Sequence, residues 1–128
     1  MNLLLDSHVL LWWLADDPRL GAKARGAISE GENEVAVSAA TVWEIEIKKA
    51  AGKLRTDADL WETVREGGFR ELAITADHAR DAATLPAHHR DPFDRMLVAQ
   101  ARREGLTLVT ADPAIEAYPV VTLAARQS

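Results

Sequence analysis

Short apolar runs alternate with helix-patterned stretches along the whole chain, and that alternation leaves few ways to fold. "NLLL" (2–5), "EVAVS" (34–38), "RELAI" (70–74), "LTLVT" (106–110) and "PVVTL" (119–123) read as strands. Between them the spacing predicts helices over about 7–15, 22–30, 39–52, 57–66, 76–84 and 92–104. "DDPRLG", the Gly67–Gly68 pair, "LPAHHRDP" and Gly105 supply the breaks. Strands separated by helices imply βαβ units and a mainly parallel sheet covered on both faces. The expected class is α/β, with three layers. Repeats, low-complexity segments and linkers are absent from the sequence, so residues 1–128 read as one domain, long enough for a core of its own.

Composition then removes several kinds of chemistry. The chain has no cysteine, which excludes disulfides, thiolate metal sites and cysteine nucleophiles, and fits a reducing cytoplasm. No apolar run approaches the roughly 20 residues of a membrane span. "MNLLLDSHVLLWWLADD" has no basic start and carries Asp6, so it is a poor signal peptide. The net charge of −5 disfavours bulk electrostatic gripping of nucleic acid. A nucleic-acid substrate would have to be held by local cations or bound metal.

"RDPFDRMLVAQA" (90–101) places a carboxylate where a helix should be apolar. Asp91 suits the cap and Pro92 the first helical position. From Asp94, the residues Leu97, Val98 and Ala101 follow at i+3, i+4 and i+7, so Asp94 heads the buried stripe. Arg95 and Arg102 share another face that can stay in water. A bare buried carboxylate costs several kcal/mol unless compensated. In parallel α/β sheets, ligands bind beyond the carboxyl ends of the strands. Asp6 ends the first strand, Asp112 follows the fourth, Asp94 opens the helix leading into it, and a glutamate lies in the helix after the second. Acids converging in a low dielectric share protons or bind cations, and hard divalent ions such as Mg2+ and Mn2+ take oxygen ligands.

Each acid also has a plainer use. Asp6 can cap the helix starting at Ser7, and Asp112 can cap a short helix starting at Pro113. Glu44 can pair with Lys48 at i+4. On the same helix Ala40, Trp43, Ile47 and Ala51 mark the apolar side, with Glu44 and Glu46 on its two borders, so spacing does not choose between them. Ser38 and Thr110 can hold a metal-bound water or satisfy backbone groups. His88 and His89 read as a solvated loop or a substrate contact, and His8 as a packed residue. With Arg90, Arg95, Arg102 and Arg103, the loop histidines offer a local basic patch for phosphates. The helix "SHVLLWWLA" is apolar all round and needs cover from neighbouring helices or from a partner chain.

"LLLDSHVLLWWL", "VSAATVWEIEIKKAAGKL", "RDPFDRMLVAQA" and "GLTLVTAD" stand in the order and spacing of PIN-domain ribonucleases, and the chain most resembles the VapC-type toxins of toxin–antitoxin pairs. The resemblance runs from Asp6 to Asp112. It implies a five-stranded parallel sheet in the order 3-2-1-4-5. It places the family's acids on Asp6, Glu44, Asp94 and Asp112, choosing Glu44 over Glu46, and leaves Asp91 as a cap. It implies Mg2+ or Mn2+ as cofactor and an RNA substrate, tRNA or rRNA. It also implies a VapB-type antitoxin, DNA binding only through that antitoxin, a homodimer, and a cytoplasmic location. The expected activity is metal-dependent hydrolysis of phosphodiester bonds. A receiver-like signalling domain is the rival, but neither "TADPAIEAY" nor "AARQS" supplies the late lysine it would use. A catalytically silent binding module of the same fold is the other.

Overall fold

A computed structural model describes residues 1–126. The first strand, β1 (Asn2–Leu5), lies at the centre of a five-stranded sheet. β2 (Glu34–Ser38) and β3 (Arg70–Leu72) extend one side, and β4 (Thr107–Thr110) and β5 (Thr122–Ala124) the other, giving the order 3-2-1-4-5. Every pairing is parallel. Leu3, Leu4 and Leu5 are all fully buried, because successive side chains point to opposite faces and helices cover both.

Leu3 and Leu5 enter one core with Val9, Leu10 and Trp12 of α1 (Ser7–Leu14), Ala24 and Ile28 of α2 (Ala22–Ser29), Ile45 of α3 (Ala39–Ala50), and Val64 of α4 (Leu60–Glu66). Leu4 enters the other with Ala82 of α5 (Ala76–Thr84), Leu97 and Val98 of α6 (Pro92–Glu104), and Ile115 of α7 (Pro113–Glu116). The all-apolar α1 is thus covered largely from within the chain. Its Trp12 is buried beneath the guanidinium groups of Arg19 and Arg126, and Trp13 meets Phe69.

Several boundaries differ from the sequence expectation. α4 begins at Leu60 rather than 57, and β3 stops at Leu72 rather than 74. β5 occupies 122–124 rather than 119–123, because Pro119 has no amide to donate and a tight turn follows, closed by the Val120 amide on the Tyr118 carbonyl. The largest difference is the face of α3. Ala40, Thr41, Glu44 and Ile45 are its buried residues, while Trp43 and Ile47 are 63% and 43% exposed. The helix lies at the rim between α1 and α6, so it turns a polar edge inward, and Trp43 packs edge-on against Phe93 outside. His8, expected to be packed, is exposed beside Trp12. Among the described residues, no helix is long and apolar enough to cross a membrane.

Candidate active site

The carboxyl ends of β1 and β4 open into a pocket of about 290 Å3 lined by Asp6, His8, Trp12, Asp94, Asp112 and Arg126. Asp6 follows β1 directly and caps α1, its Oδ1 accepting the Val9 amide at 2.9 Å. The Thr110 hydroxyl hydrogen-bonds Asp6 and also accepts the Asp112 amide at 3.0 Å, so the end of β4 links two acids. Asp112 caps α7 through Oδ1, which accepts the Ala114 amide at 2.9 Å. The plainer uses of Asp6 and Asp112 are therefore real, and they fix the carboxylates at the pocket.

Asp94 reaches the pocket because α6 starts as its sequence dictates. Asp91 caps it, Oδ1 accepting the Phe93 and Asp94 amides at 2.8 and 3.3 Å, and Pro92 takes the first position. Gly105, at φ 68°, ends it in the left-handed conformation that glycine adopts without strain. Asp94 then sits one turn before the buried Leu97 and Val98.

Glu44 is buried beside this group on α3. Its Oε1 accepts from the Ser7 hydroxyl, and its Oε2 meets Lys48 Nζ at 3.0 Å. Glu46 faces away, holding Trp61 Nε1 at 2.9 Å and Lys49 at 3.1 Å. Asp6, Asp94 and Asp112 share one pocket, then, while Glu44 stands next to it with its own counter-charge.

The electrostatics follow from burial and crowding. Burial pushes the Asp94 carboxyl up to about 7, with the charges of Asp91 and Asp6 adding to it and His89 opposing. Burial also raises Asp6, against the hydrogen bonds from Thr110 and Val9. At Asp112 burial is overcome, and the Ala114 amide and His89 hold the carboxyl below its ordinary range. This is a pocket with more negative charge than its surroundings balance. The donors are oxygen atoms of carboxylates, the set that hard divalent cations prefer, so Asp6, Asp94 and Asp112 fit such an ion.

Two functional candidates were not legible as such. His89, read as part of a solvated loop or as a substrate contact, places Nε2 at 2.7 Å from Asp112 Oδ2 and 3.1 Å from Asp94 Oδ2. Its ring nitrogen and one oxygen of each acid form the group best spaced to surround an ion among the described residues. The only signal was its place two residues before the Asp91 cap, where a loop must fold back over the helix start. Arg126, near the chain end, lines the same pocket, stacked 4.8 Å from the Trp12 ring centre. The expected basic patch is dispersed. Arg95 donates to the carbonyls of Ala82, Leu85 and Pro86 at 2.8–3.0 Å instead of standing in water. Arg103 pairs with Asp81, and His88 packs on Tyr118. Ser38 is spent on the Ala40 amide and Gln100, not on the pocket.

Comparison with known proteins agrees with this fold. The family model described as PIN domain matches residues 3–121. Ribonuclease VapC22 of Mycobacterium tuberculosis is 36% identical over 120 residues, covering 91% of this chain and 92% of that one. The fold is also that of VapBC2 from Rickettsia felis bound to a promoter DNA fragment, at TM-score 0.73 and 14% identity, covering 97% of this chain and 98% of that one. DNA-bound VapBC from Salmonella typhimurium gives TM-score 0.68 at 16% identity, covering 97% and 98%. With the family model, a relative of this similarity and the sheet order in accord, the chain belongs to the PIN domain family and to its VapC ribonuclease branch.

Proposed function

We propose that this protein is a metal-dependent endoribonuclease toxin that hydrolyses phosphodiester bonds in structured RNA, tRNA or rRNA, and that a VapB-type antitoxin neutralises it. The observation that carries the reading is the unbalanced acidic pocket: Asp6, Asp94 and Asp112 at the ends of β1 and β4, with Asp94 pushed up to about 7. The relative at 36% identity is named a ribonuclease, which supports the activity. The VapBC complexes of the same fold support the antitoxin, and DNA contact through it. A homodimer and a cytoplasmic location complete the reading.

Asp6, Glu44, Asp94 and Asp112 would hold one or two Mg2+ or Mn2+, directly or through water. A bound divalent cation supplies a more acidic water and a positive centre for the charge that builds on the phosphate. Without it, the four acids repel an RNA backbone, and the net charge of −5 deepens that repulsion. The chain's own residues do the rest. Thr110 and the helix-start amides keep Asp6 and Asp112 aimed into the pocket. Arg126, over the Trp12 ring, presents a permanent cation at the same pocket for a phosphate oxygen. Ser7 and Lys48 keep Glu44 oriented.

The test is incubation of end-labelled tRNA and rRNA with purified protein in Mg2+, with and without EDTA. Cleavage is expected in Mg2+, lost in EDTA, and lost in folded Asp6→Ala and Asp94→Ala proteins. Cutting that survives EDTA, or a folded Asp94→Ala protein that still cuts, would refute the reading. No cutting by the wild type in either condition would favour a silent binding module.

A further inference from the structure

The loop before α6 is fastened at unusually many points. Tyr118, which is buried, donates its hydroxyl to the Pro86 carbonyl at 2.7 Å and accepts the His89 amide at 3.0 Å. Arg95 braces the same loop through the Pro86 carbonyl. On this support the His89 ring makes two kinds of contact. Its Nδ1 accepts the Asp91 amide at 3.1 Å. Its Nε2 lies between Asp112 Oδ2 and Asp94 Oδ2.

The Asp91 contact decides the ring's chemistry. A backbone amide only donates, so Nδ1 offers its lone pair there, and the ring's proton sits on Nε2. Nε2 is then a donor toward two carboxylates, with no lone pair left for a metal. Histidines that bind metals do the reverse, donating from the nitrogen that faces away from the ion. His89 has the spacing of a ligand but the opposite polarity.

We propose that His89 is not a metal ligand but a positioning residue: one N–H, hydrogen-bonded to Asp112 and facing Asp94, that sets the two acids at the separation a divalent cation requires. This rests on the metal-binding reading above. Asp94 and Asp112 come from the start of α6 and the start of α7, two elements with no other shared donor at these oxygens among the described residues. Asp112 Oδ1 is held by α7 and its Oδ2 takes the His89 hydrogen bond, whereas the Asp94 carboxylate accepts no hydrogen bond among the described residues and has His89 Nε2 facing it at 3.1 Å. Losing this N–H frees Asp112 Oδ2 and removes the polar group facing Asp94, which can then turn away from its negative neighbours.

Mn2+ binding, followed by the EPR signal of the free ion, tests this without any catalytic readout, with Mg2+ affinity obtained by competition. His89→Ala should weaken Mn2+ and Mg2+ alike by about 10–100-fold, as loss of a group that orients metal ligands does. His89→Gln restores an N–H near the Nε2 position and should return both affinities to within about threefold of wild type. The Mn2+-to-Mg2+ preference should not change in either variant, because both ions meet the same oxygens. A fall in that preference in His89→Ala would make the ring a nitrogen ligand and overturn the assignment. So would unchanged or tighter binding. Should His89→Ala fail to fold, His89→Gln alone decides: near-wild-type affinity supports the assignment, and a tenfold loss overturns it. Wild-type protein that binds neither ion would instead refute the metal reading itself.

Discussion

Two histidines in this molecule are wired the same way and placed in opposite surroundings. His78, at the start of α5, accepts the Thr75 amide on Nδ1 at 3.0 Å and meets Glu104 with Nε2 at 2.8 Å. His89 accepts the Asp91 amide on Nδ1 and meets Asp94 and Asp112 with Nε2. His78 is buried, faces one acid that is 41% exposed, and completes a capping box. That acid is solvated, so the contact closes a helix start and nothing remains unbalanced. His89 faces two acids, with Asp6 and Glu44 adding their charge. One N–H satisfies geometry there but does not balance the carboxylates around it. The same local device is structural at one end of the molecule and part of a charged pocket at the other, and the number of surrounding carboxylates makes the difference.

The largest effect that can break this contrast is on catalysis. Asp94→Ala should lower RNA cleavage at least about a hundredfold, while Glu104→Ala, which removes the acid of the other pair, should leave it within about twofold. Equal losses would mean that the two pairs do not differ in kind. Next comes the brace beneath the pocket. Arg95→Ala leaves the carbonyls of Ala82, Leu85 and Pro86 without a charged donor. Unfolding in denaturant should show a loss of about 2–3 kcal/mol. A loss under about 0.5 kcal/mol would mean that water replaces the guanidinium freely.

Charge excess also predicts a pH effect on the metal-free protein. The Asp94 carboxyl rises from 3.8 to about 7 on folding, so the folded chain holds its proton more tightly than the unfolded one. Stability from this group therefore falls as pH rises from about 4 to 7 and is flat above. Asp94→Asn removes that loss. In EDTA at pH 8 the variant should be more stable by about 2 kcal/mol, less than the full displacement would give because neighbouring acids share the proton. At pH 4 the gain should vanish. A gain that is the same at both values would place its origin in packing rather than in charge.

The parts of this molecule that repeat a local pattern were legible in the sequence. α6 and its Asp91 cap, the triple leucine of β1 and the strand order all appeared as expected, the last from the family resemblance. Each rests on spacing within one element or on the motifs of the whole chain. The face of α3 was not legible, because apolar Trp43 and Ile47 follow the helical period as a core stripe would. Only the presence of α1 and α6 on its other side turns Glu44 inward. Arg95 looked solvated because its acceptors, three carbonyls at the end of α5 and just beyond, lie 9–13 residues earlier. His89 stayed hidden for a similar reason. Its partners are 5 and 23 residues away, and only the closure of α6 against α7 brings both to one nitrogen.

The smallest effect is the sharpest test of the two-histidine contrast. His78→Ala leaves the Thr75 amide without its acceptor and opens a small gap under α5, while Glu104, already partly in water, is free to resolvate. The expected cost is about 1–2 kcal/mol of stability, the range for one buried amide left unpaired. Mn2+ affinity should stay within about twofold of wild type, because no pocket acid touches this ring. His89→Ala should show the reverse pattern: its Asp91 amide lies where water can reach, so stability changes little, and the lost N–H is read in metal affinity. If the two variants instead lose stability and metal affinity in the same proportion, the rings do one job, holding helix starts, and the pocket owes nothing particular to His89.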